Sequence, residues 1–113
     1  MLVHRDVNMP DRIKSLGIMV YSGLQVTRHA EMQASKKKFI LPSVLEFSGK
    51  NIIEAELNNG KVEKLVIRTD YNNDYDIVIV VRGTKSNPVI ITAWLNHKND
   101  NHKTLDKNKY SHL

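Results

Sequence analysis

Residues 51–69 read NIIEAELNNGKVEKLVIRT, and the fold turns on this stretch. Ile53, Ala55 and Leu57 alternate with Glu54 and Glu56, the two-residue period of a strand with one buried face. Asn58-Asn59-Gly60 follows, and Asn and Gly accept positive φ at little cost, as a tight hairpin turn requires. KVEKLVIRT is then the returning strand. Beyond it, residues 70–74 (DYNND) make a second turn. Residues 76–82 (DIVIVVR) are apolar at five successive positions, 77 to 81, which predicts a central strand buried on both faces. Residues 83–88 (GTKSNP) make a third turn, and 89–96 (VIITAWLN) a fourth strand.

Upstream of the hairpin the signals are helical. Pro10 suits the first turn of a short helix with Asn8 as a plausible cap, and Gly17 ends it after Leu16. Residues 18–22 (IMVYS) are too short to assign. Thr27 reads as the N-cap of a helix from about Arg28 to Lys38, with Ala30 and Ala34 on one face. Lys36, Lys37 and Lys38 at its far end complement the helix dipole. Pro42-Ser43 opens another helical turn carrying Val44, Leu45 and Phe47, stopped near Gly49. The expected fold class is therefore α+β, with N-terminal helices packed on one face of a four-stranded antiparallel β-sheet. The length suits a single domain over 1–113, with 1–23 as an N-terminal extension and 97–113 as a polar, basic C-terminal segment.

Composition narrows the function classes. With no cysteine, disulfide frameworks and thiolate zinc sites are excluded, and a cytoplasmic location is expected. The longest apolar run is five residues, far short of a membrane span, and no segment has the build of a secretory signal. The formal charge of +5 is unevenly placed: net +4 over residues 1–40, −1 over 41–95 and +2 over 96–113. If the two basic ends converge they make a surface suited to a polyanion.

Strand alternation assigns side chains to faces. Lys64, Val66 and Arg68 share one side of the return strand, and Thr92, Trp94 and Asn96 share one side of the last. Brought onto a common side, these residues hold parts of the chemistry that breaks an RNA phosphodiester without metal. Arginine's donor fork matches two phosphate oxygens, and histidine suits proton transfer near neutrality. Trp94 is either a core anchor or a platform for a splayed base. Lys64 and Arg68 have a structural alternative, pairing with Glu54, Glu56 or Glu63 across the hairpin. His97, Asp100 and His102 match no metal-ligand spacing, so no metal and no cofactor is expected.

The ordered set VTRHAEMQA, ILPSVLEFSGKNIIEAELNNGKVEKLVIRTDY, DIVIVV and VIITAWLN, closed by TAWLNHKNDNHKTLDKNKY (residues 92–110), resembles the compact ribonuclease toxins of the barnase–EndoU–colicin–RelE grouping. Small phage-borne and polymorphic-toxin-like relatives are the nearest in pattern. The resemblance runs over about residues 24–110. It implies a metal-independent endoribonuclease that uses the 2′-hydroxyl of RNA to leave a 2′,3′-cyclic phosphate. It further implies His29, Arg68, Lys64, His102 and Thr92 as catalytic candidates, with Asn96, Trp94, Tyr110 and Lys103 contacting substrate. RNA is the implied partner, beside a cognate antitoxin, immunity or host protein. The alternative is a non-catalytic inhibitor, or a module binding nucleic acid or protein on the same fold. His29 lies two residues after the expected cap Thr27, at the positive end of the helix dipole, and a capping or core role is its structural alternative.

Overall fold

Asn59 and Gly60 adopt φ values of +53° and +78°, and the chain reverses there as their chemistry predicts. The reversal joins β5 (Ile52–Asn58) to β6 (Lys61–Asp70) in antiparallel register. β7 (Tyr75–Arg82) pairs with β6, and β8 (Val89–His97) pairs with β7. The computed structural model describes residues 2–5, 8–83 and 86–100.

The four strands of this meander are only the centre of the sheet. β1 (Leu2–Arg5) pairs antiparallel with β5 at one edge, and β3 (Gln25–Val26) pairs parallel with β8 at the other. The order β1-β5-β6-β7-β8-β3 makes a six-stranded mixed sheet. A second, two-stranded sheet joins β2 (Met19–Tyr21) to β4 (Leu45–Phe47). Strand accounts for 47% and helix for 19%. The expectation of N-terminal helices on a four-stranded antiparallel sheet is thus overturned: among the described residues the protein is mainly β, with two α-helices and a mixed sheet.

Helix α1 is a single turn, Asp11–Lys14, and α2 (Arg28–Lys37) is the long one. Thr27 caps α2 as anticipated, its hydroxyl accepting from the Ala30 N–H at 3.2 Å, and Lys38 ends it at φ +60°. The helical turn expected around Val44–Phe47 is instead strand β4, followed by a 3-10 turn at Gly49–Asn51. Leu45 and Phe47 face inward and Glu46 outward, an alternation too short to tell from one helical turn. The segment expected as an N-terminal extension supplies β1, α1 and β2, and Met9, Ile13 and Tyr21 are core residues.

Two apolar layers flank the sheet. On the first face Ile67, Ile77, Ile79, Val81 and Ala93 pack with Ala30 and Ala34 of α2 and with Leu45 and Phe47 of β4. On the second face Val66, Val78, Val80 and Trp94 form a smaller cluster. The run 77–81 is buried on both faces because its residues alternate between these two layers.

Candidate functional site

Cross-strand register sets which side chains share the second face. Arg68 stands opposite Val78, and Val78 opposite Trp94; Asp70 stands opposite Asp76, and Asp76 opposite Asn96. Directly paired residues project to the same side, so Arg68, Trp94, Asp76 and Asn96 belong to one surface. Lys64 joins it two repeats along β6 from Arg68, opposite Arg82 and Glu56.

Within that surface the anticipated residues are already engaged. Lys64 Nζ lies 3.1 Å from Glu56 Oε2, the cross-hairpin pairing foreseen as its structural alternative. Arg68 pairs with Asp76: Nε donates to Oδ2 at 2.8 Å, and Nη2 donates to the His97 carbonyl at 3.0 Å. Trp94 is buried in the second-face cluster. Asn96 is only 5% exposed, and its Nδ2 has no hydrogen-bond partner among the described residues. The Thr92 hydroxyl donates to Gln33 Oε1 of α2 at 2.5 Å, and the Ala93 N–H donates to the same oxygen at 3.3 Å.

His29 does not join them. It is exposed on the first turn of α2, the helix whose Ala30 and Ala34 pack on the first face, away from the layer that carries Arg68. His102, Lys103 and Tyr110 lie outside the described residues. Among the described residues, no three His, Asp or Glu side chains gather as a metal site would require.

What sequence reasoning missed is a cavity of about 480 Å³ at one end of this surface. Lys14, Lys50, Arg68 and Lys98 line it, together with Asp76 and Asp100. Asp76 is its hub. Burial alone would raise the Asp76 carboxyl, but hydrogen bonds from Arg68 and Lys98 outweigh it and hold the pKa below the ordinary value. Lys98 Nζ bridges Asp70 and, at 3.0 Å, Asp76 Oδ1, and its hydrogen bonds to Asp70 first and Asp76 next raise its pKa. Lys14 and Lys50 have no ion pair among the described residues.

The two unpaired lysines are brought together by a close backbone approach. Gly49 donates its N–H to Leu16 O at 2.9 Å, and a Cβ there would stand 2.3 Å from both Ile13 O and Lys14 O. Only glycine lets the 3-10 turn lie so close to the end of α1. Asn51 fixes the turn, accepting from Ser48 N at 2.8 Å and donating to Arg68 O at 3.2 Å. Two isolated lysines 36 residues apart carried no sequence signal of this meeting. Asp76 was legible only as the polar start of an apolar strand.

No family model, curated protein or solved structure matches the chain, so the likeness to ribonuclease toxins stands on its motifs alone. Among the described residues no helix is long and apolar enough to cross a membrane.

Proposed function

We propose that this chain is a nucleic-acid-binding module, with RNA the partner that the resemblance implies, and that it binds without cutting. The observation that carries the reading is the cavity where Lys14, Lys50, Arg68 and Lys98 meet, two of them with no ion-pair partner among the described residues. Cationic contacts to phosphate supply most sequence-independent affinity for nucleic acid. The net charge of +5 adds long-range attraction.

Cleavage needs more. An acid or base must lie within a hydrogen bond, or one bridging water, of the proton it moves. His29 stands on the helix against the other face, while Thr92 and Lys64 are held by Gln33 and Glu56. The ribonuclease reading keeps one observation in its favour: Arg68 lines the cavity, where a guanidinium suits a phosphorane.

Fluorescence anisotropy with a labelled single-stranded RNA, run in chelator, separates the two. The expected result is reversible binding of intact RNA, weakened at least tenfold by combined Lys14→Ala and Lys50→Ala and unchanged by His29→Ala. RNA shortened by the wild type and left whole by Arg68→Ala replaces this reading with the ribonuclease one.

A further inference from the structure

We infer that the cavity takes a terminal phosphate of RNA, a phosphomonoester, in preference to an internal phosphodiester; this rests on the nucleic-acid reading above. The cations divide into two kinds. Arg68 and Lys98 are answered by Asp76 and Asp70, and with Asn51 on the Arg68 carbonyl they form a fixed floor. Lys14 and Lys50 are the second kind, both exposed, and no described carboxylate lies within ion-pair distance of either.

The charge of the whole lining selects the ligand's: Lys14, Lys50, Arg68 and Lys98 stand against Asp76 and Asp100, an excess of two positive charges. A phosphomonoester carries about −1.5 to −2 at neutral pH, with three strong acceptor oxygens. An internal phosphodiester carries about −1 and would leave one lysine unanswered. The backbones bearing the pair are held at a fixed spacing by the Gly49 approach, so the site is largely built before the ligand arrives. Size agrees: about 480 Å³ lies within the range of small-ligand pockets and is ample for one terminal nucleotide. The lining is also half apolar in character, with Met9, Ile52 and Ile53 beside the charges. That combination accommodates a sugar or base edge next to the phosphate.

The test compares three otherwise identical short single-stranded RNAs, bearing a 5′-phosphate, a 3′-phosphate or hydroxyls at both ends, titrated into the full chain. One phosphorylated form binds about tenfold tighter than the hydroxyl-ended RNA, the effect of roughly one charge-assisted hydrogen bond. Which end is preferred identifies the source of the phosphate. Lys14→Ala and Lys50→Ala each reduce that preference to about threefold or less, whereas Lys36→Ala on α2 retains it. Far-UV circular dichroism on each variant ensures that the folded protein is compared. Equal binding of all three RNAs overturns the terminal-phosphate inference and leaves the nucleic-acid reading in place. No binding of any RNA overturns that reading itself.

Discussion

Asp76 accepts from two cations at once, through Oδ2 from Arg68 and Oδ1 from Lys98, and its effect on stability follows from the direction of its pKa. The folded value is depressed, so its contribution is fully present above the unfolded carboxylate value of about 3.9 and is lost as pH falls through the folded value. Lys98 is raised, so its contribution is complete below the ordinary lysine value and is lost as pH climbs through the folded one. Asp76→Asn is therefore expected to be less stable than wild type in urea at neutral pH. The gap should close in acid, below the folded pKa of Asp76; a gap that stays constant into acid contradicts the assignment. Little of this was legible beforehand. The sequence placed Arg68 on a polar face, with a glutamate of the same hairpin as the structural alternative to a phosphate. Asp76, a partner from the next strand, was not foreseen, because it depends on the register of β6 against β7, which sets Arg68 two positions from Asp76.

At the level of elements, local chemistry was readable where it was strong. The Asn59-Gly60 turn and the Thr27 cap both rest on short-range hydrogen bonding or backbone freedom, and both formed where the residues demanded. Thr27 does more than cap, since its hydroxyl also donates to Ile91 O at 3.1 Å and ties the start of α2 to β8. Short elements were not readable. β3 has two residues and β4 three, too few for any period to register. Pairing partners far along the chain stabilise them. The contact of α1 with the 3-10 turn shows the same dependence, and Gly49→Ala tests it. The new Cβ would meet two carbonyl oxygens, so the turn must withdraw from α1 at a cost of about 1–3 kcal/mol. Chemical denaturation measures that loss. RNA affinity should fall with it even in the fraction that stays folded, because Lys14 and Lys50 lose their spacing. Unchanged stability would mean that the 3-10 turn and the end of α1 are not in close backbone contact.

For the whole molecule, charge is the property that reaches furthest. An excess of +5 attracts any polyanion, and what separates a site from general attraction is the response to salt. Each phosphate neutralised releases counterions, so log K falls linearly with log salt, by about 0.7 per contact on a single strand. Removing Lys14 or Lys50 is expected to reduce that slope by about one contact each. Removing Lys36, on the exposed face of α2, should leave it nearly unchanged. Equal slopes for all three variants would mean that binding is diffuse and that the cavity holds no phosphate. Of the two acid–base candidates, His102 lies outside the described residues, and the placement of His29 was decided at this scale. Face arithmetic along single strands is sound, but His29 belongs to a helix, and the side on which a helix packs is decided by its apolar stripe. Ala30 and Ala34 took α2 to the first face, and His29 went with them.

By itself the sequence determined the central hairpin, the two-sided burial of residues 77–81 and the capped helix from Thr27. Each depends on interactions between residues a few positions apart, whose chemistry is written in order along the chain. Tertiary structure alone decided that β1 and β3 extend the sheet, that Arg68 pairs with Asp76, and that Lys14 and Lys50 meet over one cavity. Those outcomes depend on long-range pairing and on a glycine's tolerance of close backbone contact. Their energies arise only once distant segments touch, and no local pattern records which segments will.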